Sequence, residues 1–170
     1  MKRTLGLLLI TVMISVSSTF AQNYKFGHIN SSELLSIMPD RDSAMLELQS
    51  YSQMLQQEIE ALQMEYQNKV AAYQEKEQTY SDLVRESKLK EIQEMQGRMQ
   101  EFQMTAQQDY QQKEAELFQP IMDEAQNAIE KVAKANGFTY VFDLSAGGLV
   151  YFSEESVDIL PLVKKELGIE

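Results

Sequence analysis

From Asp40 to Gln119 the chain holds no proline and a single glycine, Gly97. A stretch this long, free of breakers and rich in Gln, Glu, Met and Ala, has one regular option, the α-helix. Two heptad positions run through its first part. One reads Met45, Ser52, Ile59, Tyr66, Tyr73, Tyr80 and the other Leu48, Leu55, Leu62, Lys69, Lys76, Leu83. Steps of three and four residues between apolar positions predict a coiled coil. The seam is strong at its start and degrades to tyrosine and lysine further out. The tyrosines are either seam residues whose hydroxyls reach water or a loosening toward a flexible end. The second part continues through Ile92, Met95, Met99, Phe102, Ala106, Tyr110, Leu117, Ile121, Ala125, Ala128 and Val132, with Asp109 and Lys113 as polar interruptions.

One unbroken helix over residues 40–136 would run roughly 145 Å. The expectation is instead a hairpin of two antiparallel helices, each roughly 65 Å long, with its tip near Ser81–Ser87. The reason is architectural. Strand candidates flank the helical stretch at Lys25–Asn30 (KFGHIN) and in NGFTYVFDLSAGGLVYF, residues 136–152. Short strands cannot stand alone, and a helical hairpin returns the chain to where they can meet. The second candidate reads as a β-hairpin, with TYVFDL and LVYF flanking the turn SAGG. Ser31 or Ser32 is placed to cap a short helix through ELLSIM, stopped by Pro39. Pro120 predicts a kink or break in the returning helix, and Asn136-Gly137 its left-handed cap. Ser156 is placed to cap a final amphipathic helix in VDILPLVKKELG, with Pro161 early in it.

The first residues carry export chemistry. Lys2 and Arg3 precede the apolar run Leu5–Val16, and Thr19-Phe20-Ala21 offers small residues for cleavage after Ala21. This predicts a secretory signal peptide over residues 1–21 and a soluble, exported mature chain. No later apolar stretch reaches membrane-spanning length, so no integral span is expected in the mature chain. Without cysteine, neither a disulfide framework nor lipid attachment through a thiol is open to it. Removing the leader leaves 13 basic against 26 acidic side chains, a net charge of −13. Nucleic acid and anionic lipid are repelled by such a surface, so no nucleic-acid partner is expected.

Little supports catalysis. His28 is the lone histidine and cysteine is absent, so no His/Cys metal cluster can form. Gly147-Gly148 is turn chemistry, with none of the Lys-Ser/Thr continuation of a phosphate loop. Acidic side chains fall on helical faces, where solvation and pairing account for them. No enzymatic activity, cofactor or metal is expected. Methionine is more informative. Eight of the ten lie between Met38 and Met122. Met45, Met95 and Met99 fit the seams, whereas Met54, Met64 and Met104 fall on outward positions. One reading is ordinary long-helix composition. The other is a soft apolar surface that repacks around many ligands. On that reading Met45, Met54, Met64, Met99 and Met104 are the candidate contact residues.

Three short strands and two short helices bury too little for an isolated body, and their open edges invite pairing. Oligomerisation, with strands of several chains completing one core, is the simplest remedy. The order of features resembles the Skp/OmpH family of periplasmic chaperones across essentially the whole mature chain. AIEKVAKANGFTYVFD at residues 128–143 carries the resemblance most specifically, with KFGHIN and the closing Asp158-Ile159…Val163…Leu167 pattern in agreement. The resemblance implies an α+β, mostly α fold. In it a long antiparallel coiled-coil hairpin, residues 40–136, projects from a small β-barrel body, residues 22–39 and 137–170, completed by trimerisation. It also implies a homotrimeric, ATP-independent periplasmic holdase for unfolded outer-membrane proteins. The best-known members are basic, whereas residues 40–136 here hold ten basic and nineteen acidic side chains, a net −9. Client holding would therefore lean on apolar, Met-rich contacts. The alternative reading is an envelope coiled-coil scaffold or adaptor with one dedicated folded partner.

Overall fold

A computed structural model describes residues 24–169, so the expected leader lies outside the described residues. Strand β1 spans Phe26–Ile29, helix α1 Ser31–Ile37 and helix α2 Pro39–Lys76, followed by a 3-10 turn at Glu77–Thr79. Helix α3 then spans Asp82–Ala135, β2 Tyr140–Asp143, β3 Val157–Asp158 and α4 Leu160–Leu167. The chain is mostly helix with one small sheet.

The two long helices form the hairpin. With 38 and 54 residues, α2 and α3 are about 57 and 81 Å long at 1.5 Å per residue. Their turn falls at Glu77–Ser81, earlier than the expected Ser81–Ser87. It is built without glycine or proline. The Thr79 hydroxyl donates to the Lys76 carbonyl at 2.7 Å, and the Ser81 hydroxyl accepts from the Val84 N–H at 3.5 Å. Hydroxyls thus close one helix and open the next. No break occurs at Pro120, which lies inside α3. Proline deprives the carbonyl four residues back of its donor, and both Pro120 and Glu116 are exposed, where water can serve that carbonyl.

The seam of α2 runs through Ala44, Leu48, Tyr51, Leu55, Ile59, Leu62, Tyr66 and Tyr73, all buried or half-buried. Met45 and Ser52, expected on it, are exposed. Two successive four-residue steps, Tyr51–Leu55–Ile59, shift the early seam by one residue relative to a strict heptad. A straight helix of 3.6 residues per turn drifts from a seven-residue repeat in this way. The apolar positions expected in the seam of α3, from Ile92 to Val132, are all buried or half-buried; of its two polar interruptions Lys113 is half-buried and Asp109 is exposed.

The additional length of α3 builds the body. Ile121, Ala125, Ala128 and Val132 pack with Ile29, Leu34, Ile159 and Val163 in one apolar core. Leu34, Ile159 and Val163 are fully enclosed. Asn136 and Gly137 then close α3, with Gly137 at φ +69° as a left-handed position requires. At the other end of the body Asn30, rather than Ser31 or Ser32, caps α1, its side chain accepting from the Glu33 N–H. Pro39 stands at the first turn of α2.

The sheet has the order β2-β1-β3, and both neighbours run parallel to β1. Parallel neighbours need a long crossover, and here the entire helical hairpin is the crossover from β1 to β2. The expected β-hairpin over 136–152 is not formed, and residues 149–152 are not a strand. The cause is at Asp143. Its carboxylate accepts from the Ser145 N–H and hydroxyl at 3.0 and 2.9 Å, a local turn that leads the chain out of the sheet. Ser156 does not cap the last helix. Ile159 is its N-cap, and the Asp158 carboxylate accepts from the Leu160 N–H at 2.9 Å.

Candidate functional site

Two surfaces stand out. The first is the outer face of the sheet. Side chains alternate along β1, so Gly27 and Ile29 turn into the core while Phe26 and His28 turn outward. Gly27 is needed inside, because a Cβ there would lie 3.1 Å from Ile159 Cγ2 and from the Phe138 ring. Register pairs Phe26 with Tyr140 and His28 with Phe142, which brings the outward aromatics of both strands together. Ring centroids are 6.2 Å apart for Phe26–Tyr140 and for Tyr140–Phe142, and 6.4 Å for Tyr24–Phe26. Tyr24, Phe26, Tyr140 and Phe142 all remain more than two-fifths exposed. With Leu149, Tyr151 and Phe152 several of them line a concavity of about 740 Å³. His28 sits at its margin, Nδ1 2.8 Å from the Ser156 hydroxyl and its ring 4.3 Å from that of Phe152.

Asp143 ends β2 and fastens the amino-terminal and carboxy-terminal segments of the body together. Its carboxylate accepts from the Ser31 N–H at 3.1 Å and hydroxyl at 2.6 Å, as well as from Ser145. Burial pushes its pKa up, but the donors of Ser31 and Ser145 outweigh burial and hold it below the usual aspartate range.

The second surface is the arm formed by α2 and α3. Met54, Met64 and Met104 are 53%, 64% and 64% exposed, as outward heptad positions predict. Met99 is half-buried on the seam, and Met45, expected there with it, is 43% exposed. The five candidate contact residues therefore do not form one cluster; four of them stand on the arm's outer faces. Leu83 and Val84 add exposed apolar surface just past the turn. Several cations on the arm are matched to neighbouring acids: Lys69 with Glu65, Arg85 with Asp82, Lys88 with Glu91, and Lys113 with Glu47 across the two helices. Near the turn, Tyr73 is buried, its hydroxyl donates to Glu77 at 3.1 Å, and its ring lies 6.3 Å from that of Tyr80.

Sequence reasoning did not find the aromatic face, although its signal is present. Phe26-x-His28 and Tyr140-x-Phe142 place rings on alternate positions of two strands, where a water-facing sheet normally carries polar side chains. Among the described residues no group of three or more His, Cys, Asp or Glu side chains could hold a metal ion. No described helix is long and apolar enough to cross a membrane.

A long helical hairpin rooted in a small parallel sheet defines the class of this fold. The profile of the OmpH-like outer membrane protein family matches residues 25–167, and the chain belongs to that family. A solved structure described as a candidate outer membrane chaperone (OmpH-like) from Caulobacter crescentus superposes with a TM-score of 0.71 at 17% identity, covering 85% of this chain and 83% of that one. No curated protein matches the chain.

Proposed function

We propose that this chain is an ATP-independent holdase of the periplasm that keeps unfolded outer-membrane proteins from aggregating. In this reading residues 1–21 are a signal peptide cleaved after Ala21. Residues 22–39 with 137–170 form an oligomerisation body, and 40–136 the projecting arm. Three copies join their three-stranded sheets into one closed barrel, which buries the aromatic faces and removes the open edges. Three arms then surround a client, with Met45, Met54, Met64, Met99 and Met104 among the contacts. Membership of the OmpH-like family and the likeness to a candidate chaperone support this reading.

The observation that carries it is the joining of an unfinished sheet with an exposed arm. A sheet that leaves Phe26, Tyr140 and Phe142 in water is built for a partner surface. An arm with scattered soft apolar side chains suits many weak contacts rather than one epitope. Weak contacts within a cage hold a client through effective concentration. Release needs no nucleotide, because a client that folds or inserts withdraws its own binding surface. Light scattering and an aggregation assay test this together. The expected result is a trimer that keeps several unrelated unfolded barrel proteins in solution without ATP. A monomer, or a protein that ignores unfolded barrels and binds one folded partner, would replace this reading with the scaffold.

A further inference from the structure

The arm carries one reactive group in quantity, the thioether. With no cysteine in the chain, methionine holds its only sulfur. The methionines span the range of exposure. Met38 and Met95 are 3% and 2% exposed, Met99 is half-buried, Met45 and Met122 are 43% and 45% exposed, and Met54, Met64 and Met104 are more than half exposed. The Lys113–Glu47 pair sets how the two helices align. Counting nine residues along each helix from that pair toward the turn places Met104 level with Gln56, beside Met54. Two exposed thioethers thus stand at one height on the arm and the third lies nearer the turn.

We propose that Met54, Met64 and Met104 form a reversible oxidation site, at which conversion to the sulfoxides by a peroxide weakens the arm's hold on unfolded clients. The inference rests on the holdase reading. In the step, a sulfur lone pair attacks one peroxide oxygen. The S–O bond forms as the O–O bond breaks, and sulfur gives up two electrons. The departing hydroxide takes the proton from the transferred oxygen and leaves as water. The product side chain is polar and accepts hydrogen bonds from water, so pressing it against an apolar client now costs desolvation. Met38 and Met95 are shielded, so the change alters the contact surface and spares the core. Methionine sulfoxide reductases reverse the step.

The test uses the full mature chain in its native assembly, treated with hydrogen peroxide. Peptide mass mapping should show Met54, Met64 and Met104 gaining oxygen before Met38 and Met95, with the helical circular dichroism unchanged. Affinity for an unfolded barrel protein should fall about tenfold, equal to ~1.4 kcal/mol. A methionine sulfoxide reductase should restore it, and the affinity of a Met54→Leu, Met64→Leu, Met104→Leu chain, whatever its value before treatment, should fall less on the same treatment than that of the natural chain. Oxidation of Met38 and Met95 as fast as that of Met54, Met64 and Met104, or full affinity with the three sulfoxides formed, overturns the proposal. Should the untreated chain hold no client, the holdase reading fails and the consequence for holding fails with it, while the order of oxidation still decides whether the site is selective.

Discussion

The ammonium of Lys113 lies 2.7 Å from the carboxylate of Glu47 and joins α3 to α2 across the arm. Lys113 occupies a seam position where an apolar residue would pack, so the pair fixes alignment rather than adding apolar burial. Its hydrogen bond to Glu47 holds the Lys113 ammonium above the usual lysine range.

Removing either partner should loosen the arm. Lys113→Ala and Glu47→Ala should each lower the melting temperature, and the double variant should lose less than the sum of the two. The raised lysine pKa makes this contribution complete at neutral pH and lost only as alkaline pH passes through the folded-state value. Melting curves of the four chains at neutral and strongly alkaline pH check both points.

The enclosure of Ile159 predicts a large loss in the body. Ile159→Ala should cost about 2–5 kcal/mol by urea unfolding at fixed protein concentration. Gly27→Ala alone should cost about 1–3 kcal/mol, because its new methyl meets Ile159 and the Phe138 ring. Combined, the two should cost less than their sum, since Ile159→Ala removes the Cγ2 atom that the methyl would strike.

Asp143 gives an acid-side dependence. Its folded pKa is depressed, so its contribution is present above the unfolded value and disappears as pH falls through the folded one. Asp143→Asn should lose ~1–3 kcal/mol at neutral pH, because an amide nitrogen cannot accept from the Ser31 hydroxyl. The gap from wild type should close as pH drops below about 4. Unfolding titrations from neutral pH to pH 2 measure it.

The aromatic face predicts a separation of assembly from folding. If the proposed trimer forms through this face, Phe26→Ser with Phe142→Ser should reduce the mass in solution toward that of one chain while the arm keeps its helical signal. Light scattering with circular dichroism reads both. Unchanged mass would place the assembly surface elsewhere.

Helix, arm and strand at Phe26–Ile29 were legible because each rests on local chemistry: a breaker-free run, apolar spacing, β-branched and aromatic residues. The misreadings fall where side chains act at a distance or in competition. LVYF carries strand-forming residues, yet the turn from Asp143 to Ser145 leads the chain out of the sheet before it. The early seam slipped by one residue because Ala44 and Tyr51, not Met45 and Ser52, meet the second helix. Ser156 has the chemistry of a cap, but it lies beside His28, a neighbour 128 positions away. The exposure of Met54, Met64 and Met104 was legible from heptad position alone, since outward positions need no knowledge of the partner helix.

The parallel sheet also dictates an order of events as the chain is made. Ser31 waits for Asp143, 112 residues later, and His28 for Ser156 later still. The rods can wind as soon as their own residues emerge, since their bonds are local. The hub cannot close until the last stretch of polypeptide has arrived to supply Ile159 and Val163. A copy cut short before Ile159 would therefore retain its arm but lack the core that roots it.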